Sequence, residues 1–284
     1  MIETPCRFGP HQALMGILTQ PSQGSVTPPM AFLFFNAGVI PRFGPHRINV
    51  KLARTLAAAG QVSLRFDLSG LGDSPHQGGD GDFRVQAVRD IQAAMDHVTA
   101  TTGIRHFVLV GICSGATNAY WTSEVDARVV GVLMLDGFSY ASRWTKLVCR
   151  YKRLAVASPR DLFMRAWNKL LARKRAPDDD ESGLFSSDAS MMYPTKEDFA
   201  RVMQTLVDRH AEVLLIFTGS VIDHYSYDGQ LRHAFAGQPW VERVRCLLLE
   251  EIDHTATALA SQRVLTDLML AWLPKLMQAC EKQP

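Results

Sequence analysis

Gly111-Ile112-Cys113-Ser114-Gly115 follows the apolar run 106–110 and precedes a helix-like stretch. The spacing is that of a G-x-nucleophile-x-G elbow, a sharp turn between strand and helix, with cysteine where serine is usual. Glycines on both sides let the backbone bend tightly, so the central side chain stands above the sheet with a helix N-terminus beneath it. Two residues either side of Ser114 stand Ile112 and Ala116, so the glycine register selects Cys113. Five residues alone carry little weight, and a small buried cysteine in a packing turn is the plainer alternative. Position adds the weight: an elbow requires a strand before it, a helix after it and an alternating β/α chain around it.

The chain has that alternation on both sides of the elbow. Strands are expected at 30–35, 62–66, 106–110 and 130–135, with helices at about 46–59 and 83–99 and after the elbow. Such alternation implies a mostly parallel sheet with helices on both faces, an α/β fold. The pattern breaks at 137–209, which is helical in character and predicts an inserted cap. Strands resume at 212–218 and 244–250, and an amphipathic helix at 261–277 closes the core. The expected organisation is a core of residues 1–136 and 210–284 with a helical cap at 137–209.

Composition narrows the function. A chain of 284 residues, 47% hydrophobic and 20% charged, suits one large core. A formal net charge of +2 argues against a whole-protein nucleic-acid surface. No apolar run approaches the roughly 18 residues of a membrane span. The first residues lack a basic segment followed by an apolar one, so no secretory signal is read and a cytoplasmic location is expected. The five cysteines, Cys6, Cys113, Cys149, Cys246 and Cys280, have no C-x-x-C or zinc-ligand spacing. Reduced thiols, no metal and no cofactor are expected.

A cysteine nucleophile must be partly thiolate to attack, and a helix N-terminus and a paired histidine both favour the anion. The histidine belongs in the loop after the last strand, where Ile252-Asp253-His254-Thr255 stands, so His254 is the expected general base. An acid after the preceding strand should orient the imidazole. Asp223 is the first choice, with Asp228 behind it, and Asp136 at the end of an earlier strand is the alternative. The order nucleophile, acid, histidine fits the chain order of such triads. Two donors should face a developing oxyanion. The backbone N–H of Ser114 is one; the other is expected from Asn36-Ala37-Gly38, as the N–H of Ala37, with Asn36 shaping the turn or donating from its side chain. A plain tight turn is the alternative for those three residues.

Together these residues resemble the α/β-hydrolase superfamily over about 30–136 and 212–272. Asp67-Leu-Ser-Gly-Leu-Gly-Asp-Ser74 is similar to the superfamily's D-x-x-G-x-G-x-S turn. The stretch from Asn36-Ala37-Gly38 through Arg65-Phe66-Asp67 resembles hydrolases that accompany exosortase systems, and the cysteine branch resembles acyltransferases that act on carrier proteins. Cysteine in place of serine and Asn36-Ala37-Gly38 in place of the usual His-Gly depart from simple esterases and lipases.

Attack of Cys113 on a thioester gives another thioester, so acyl-transfer potential is retained. The expected function is therefore acyl transfer through an acyl-cysteine, as acyltransferase or thioesterase, on an acyl thioester. A carboxylic-ester or dienelactone-type hydrolase is the alternative within enzymes, and a non-catalytic binding protein is the alternative outside them. Between Arg143 and Arg175 stand eleven Lys/Arg and one acid. This basic stretch of the cap predicts docking of an acidic donor, such as a carrier protein or coenzyme A, by electrostatic steering; a solvated basic face is the alternative. No substrate-binding residues are assigned.

Overall fold

The computed structural model describes residues 1–22, 27–76, 82–156 and 193–283, with only the backbone of 153–156. Eight strands form one sheet: β1 (Ile2–Phe8), β2 (Leu14–Gln20), β3 (Met30–Phe34), β4 (Val62–Phe66), β5 (His106–Ile112), β6 (Val129–Leu135), β7 (Glu212–Thr218) and β8 (Arg245–Leu249). Their order is β1-β2-β4-β3-β5-β6-β7-β8. Both pairings of β2 are antiparallel and all others are parallel.

Period-2 alternation decides which residues fill each side of the sheet. Along β3, Ala31, Leu33 and the following Phe35 enter one core, while Met30, Phe32 and Phe34 enter the other. Along β5, Phe107 and Leu109 join the first core, and Val108, Val110 and Ile112 the second. Every residue of β3 is buried, which is why the strand reads as an unbroken apolar run. Helices α1 (Ile48–Ala58) and α7 (Leu259–Glu281) cover the second core through Leu52, Leu56, Met269 and Trp272. On the other side lie α2 (Phe83–Thr102) and α3 (Ser114–Val125).

The helix Lys196–Asp208, here α5, corrects the expected boundary of the cap. It buries Phe199, Val202, Met203 and Leu206 in the same core as α2 and α3. It starts on a Thr195 cap, whose hydroxyl accepts the Asp198 N–H at 3.0 Å. It is the crossover helix between β6 and β7, so residues 196–208 belong to the core. Of the remaining insertion, α4 (Thr145–Val156) is described, and residues 157–192 lie outside the described residues. Most of the basic stretch from Arg143 to Arg175 lies there as well.

Strands β1 and β2 add a hairpin ahead of the expected strands. β1 is a largely exposed edge strand with Pro5 inside it, a residue tolerated where one side of the strand lacks a partner. A short helix, α6 (Gln230–Ala234), follows β7.

Chain direction reverses beside β3: the crossover through α1 leads to β4 on one side, and α2 returns to β5 on the other. The crevice at the carboxyl ends of β3 and β5 is where ligands bind in open α/β sheets. Asn36-Ala37-Gly38 and Cys113 both stand there.

Candidate active site

Cys113 is held at φ 56° and ψ −123°, a strained turn for a residue with a Cβ. Close packing around it demands the two glycines. A Cβ on Gly111 would lie 2.3 Å from the carbonyl oxygen of Gly115, and one on Gly115 would lie 2.8 Å from that of Asn36. Backbone cannot yield as a side-chain tip can. Gly111→Ala is therefore expected to lose about 1–3 kcal/mol or fail to fold, read as a drop in Tm of about 2–4 °C per kcal/mol.

The carboxylate against His254 is that of Asp136. His254 Nδ1 donates to Asp136 Oδ2 at 2.7 Å, and the Asp136 side chain is fully buried. Asp136 takes φ 50° at the end of β6, and Thr218 at the end of β7 donates to it twice, from N–H and hydroxyl, each at 2.7 Å. The first choice, Asp223, is corrected here. It is exposed beyond the one-turn helix Gly219–Val221, as is Asp228. From the segment after β7, Ser220 meets the histidine loop instead, its Oγ accepting the His254 backbone N–H at 2.9 Å. The Gly219 N–H also donates to the Ile252 carbonyl at 2.9 Å, which fixes the loop to β7.

The three groups are electrically coupled. The interaction with His254 is the largest influence on the Cys113 thiol; it outweighs burial and holds the thiol below its ordinary value, with the Ser114 N–H adding to the effect. His254 is pushed up to about 10, first by the Asp136 hydrogen bond and then by Cys113. Both shifts favour the thiolate–imidazolium form, and the two groups titrate as a unit. Burial instead raises Cys6, Cys246 (to about 12) and Cys280 (to about 11). Alkylation is therefore expected at Cys113 ahead of those three. The thiol pKa is depressed, so the reactive thiolate is present above that depressed value and lost as pH falls through it. His254→Ala removes the main cause and leaves burial, so the inflection of the alkylation rate should move up by about 1–3 pH units. An unmoved inflection would show that the two residues are not paired.

The turn after β3 differs from expectation in one respect. The Asn36 side chain is fully engaged: Oδ1 accepts the Leu68 N–H at 2.8 Å, and Nδ2 donates to Ile40 O and Asp67 Oδ1. Asn36 thus shapes the turn and does not offer an oxyanion donor from its side chain. Ala37 is buried and bridges to Ile40. Gly38, which sequence reasoning passed over, points its N–H at Ser114 Oγ, 2.7 Å away. Swinging the Ser114 side chain about its Cα–Cβ bond would free that N–H. The Ser114 N–H, first in α3, faces the thiol itself.

Asp67-Leu68-Ser69-Gly70-Leu71-Gly72-Asp73-Ser74 is a structural staple. Asp67 is fully buried and accepts from the N–H of Arg42 (2.6 Å) and of Asp73 (3.1 Å), and pairs with the Arg42 guanidinium. Ser74 Oγ donates to the Asp67 carbonyl at 2.7 Å. One buried carboxylate thereby fixes the loops after β3 and β4 to each other. Among the described residues no cluster of three or more His, Cys, Asp or Glu could hold a metal ion, and no helix is long and apolar enough to cross a membrane.

No family model matches the sequence, and a search of curated proteins finds no match. Solved structures do match. The chain is similar to an esterase of Pyrococcus furiosus at 12% identity and a TM-score of 0.59, covering 97% of this chain and 91% of that one. It is similar to an α/β serine hydrolase without a lid from Xanthomonas campestris at 13% identity and a TM-score of 0.55, covering 96% and 94%. A proline iminopeptidase of Mycobacterium smegmatis matches at 14% identity and a TM-score of 0.53, covering 98% and 99%. The chain has the α/β-hydrolase fold. At these identities the likeness extends to the fold and stops there.

Proposed function

We propose that this protein is an acyl-transfer enzyme of the α/β-hydrolase fold, with Cys113 as nucleophile, His254 as acid and base, and Asp136 as the group that orients His254. The observation that carries the reading is the Cys113–His254–Asp136 relay at the ends of β5, β6 and β8. The Cys113 thiolate attacks the carbonyl carbon of an acyl thioester, and the Ser114 N–H faces the oxyanion, with Ala37 or the released N–H of Gly38 as second donor. Collapse expels the donor thiolate, which takes the proton from the His254 imidazolium. The acyl-Cys113 then passes its acyl group to water, an amine or another thiol, whose proton returns to His254.

A thiol nucleophile supports thioester donors, because exchange of one thioester for another is nearly balanced and keeps the acyl group activated. The resemblance of Cys113 and Asn36-Ala37-Gly38 to cysteine-dependent acyltransferases and exosortase-associated hydrolases points the same way. A carboxylic-ester hydrolase is the second reading, favoured by the esterase among the structures of the same fold.

Intact mass after brief incubation with acyl-pantetheine thioesters tests the proposal. An increase equal to the acyl group is expected in the wild type and not in Cys113→Ala. Decay of that adduct in water, or its faster decay with an amine or thiol, separates hydrolysis from transfer. Equal masses in both proteins, together with turnover of simple esters, would move the assignment to ester hydrolysis. Equal masses with no turnover would favour a binding protein.

A further inference from the structure

β4 runs Val62-Ser63-Leu64-Arg65-Phe66, and its apolar residues face the core under α2. Alternation therefore sends Ser63 and Arg65 to the side where α1 lies. There the hairpin β1–β2 and α1 enclose a cleft of about 530 Å³ lined by Arg42, Arg47, Arg54, Arg65 and Glu3. Ile17 and Phe43 supply apolar wall. Three of these guanidinium groups, those of Arg47, Arg54 and Arg65, meet one carboxylate in the cleft, while Arg42 is paired outside it.

The charges do not cancel inside it. Arg42 turns its guanidinium to Asp67 and Asp73. Arg54 and Arg65 share Glu3, each at 2.7 Å. Arg47 pairs with no carboxylate among the described residues. The Arg65 side chain is only 7% exposed, and its buried Nε has no hydrogen-bond partner. A buried cation that shares its counter-ion is costly unless further negative charge offsets it. Planar guanidinium groups recognise phosphate with paired hydrogen bonds, and three of them exceed what one carboxylate ligand needs.

The cleft and the nucleophile share one loop. Gly38 borders Cys113 through Ser114 Oγ, and four residues later Arg42 lines the cleft. His46, next to Arg47, meets Thr257 of the histidine loop at 3.3 Å. We infer that this cleft seats the phosphate of the acyl donor, so that the thioesters used by Cys113 are those whose thiol is carried on a phosphorylated pantetheine arm. This inference rests on the thioester reading given above. It places the recognition of the donor's charge in the core of the fold, apart from the basic stretch Arg143 to Arg175.

Calorimetric titration of the full chain carrying Cys113→Ala, with coenzyme A and with phosphate-free pantetheine, is the test. Coenzyme A should bind at least about tenfold more tightly, a difference of about 1.4 kcal/mol. Arg47→Glu and Arg54→Glu alter exposed side chains, so both should fold, and each should weaken coenzyme A about tenfold or more while leaving pantetheine unchanged. With Cys113 intact, loading from a short thioester that lacks phosphate should be the same in wild type and both variants. Loading from acyl-coenzyme A and from an acylated carrier protein into Arg54→Glu tells the two sources of the phosphate apart, since only the source that uses the cleft slows. Equal binding of coenzyme A and pantetheine, or no loss in either variant, overturns the inference and leaves a purely structural ion-pair network tying the hairpin to α1. In that event continued loading by the short thioester keeps the proposed function standing. Failure of every thioester to load Cys113 removes the thioester reading and the donor assignment with it.

Discussion

Asp136→Asn is expected to lower the rate of Cys113 acylation by about 10²–10⁴-fold, whereas Asp223→Asn leaves it unchanged. The reason is the proton on the imidazole. The Asp136 carboxylate can only accept, so it keeps a proton on Nδ1 of His254 and leaves Nε2 as the nitrogen that takes the thiol's proton. Thr218 donates its N–H to Oδ1. An asparagine in the same pose must keep its oxygen there and turn its amide nitrogen to Thr218 Oγ1 and His254. That nitrogen donates, so Nδ1 must accept, and the imidazole proton moves to Nε2. Nε2 is then occupied and cannot take the thiol's proton, so the thiolate–imidazolium pair does not form. His254 also loses the first cause of its raised pKa, so the imidazolium that supports the thiolate is lost at lower pH than in the wild type. Single-turnover acylation across pH, measured for both variants, gives the answer. A large loss in Asp223→Asn with none in Asp136→Asn would return the role to the segment after β7.

Much of this candidate site's geometry is legible in the sequence, and the exception has a physical cause. Cys113 follows from glycine register, because the two close backbone approaches at Gly111 and Gly115 exclude any side chain. His254 follows from its place after the last strand. The acid does not follow from chain order, since β6 and β7 end side by side and either can present a carboxylate to a histidine beyond β8. What selects Asp136 is lateral: two donors from Thr218, on the neighbouring strand, are waiting for it. Asp136 does stand directly after an unbroken buried strand, the one local signal available. Asn36 misleads for a related reason. Its amide answers to Leu68 and Asp67, more than thirty residues away, and only the packed loops show that its donors are committed. The same limit hides β1, whose exposed edge residues carry no apolar period, and assigns α5 to an insertion although its buried stripe belongs to the core.

Cys113→Ser is the sharper probe of why a thiol stands in an elbow that usually carries serine. Above the depressed thiol pKa the proton has already moved in the wild type: His254 is held charged up to about 10, and the thiol is held below its ordinary value. Attack then needs no proton transfer. A serine hydroxyl does not ionise at these pH values, so its proton must leave during attack, to an imidazole that has to be neutral first. Asp136 remains in the variant and continues to favour the charged imidazole, which leaves a poor supply of base near neutral pH. Acylation by a thioester should therefore fall by about 10²–10⁴-fold, the usual worth of a positioned base. The sign of the pH dependence should differ as well. Wild-type acylation persists downward to the depressed thiol pKa, whereas the serine variant gains rate as pH rises and His254 gives up its proton. Intact-mass time courses at several pH values, with Cys113→Ala as the blank, read both effects. A serine variant as fast as the wild type, with the same profile, would mean that the ion pair contributes nothing, and the site would be better assigned to ester hydrolysis by an interchangeable nucleophile.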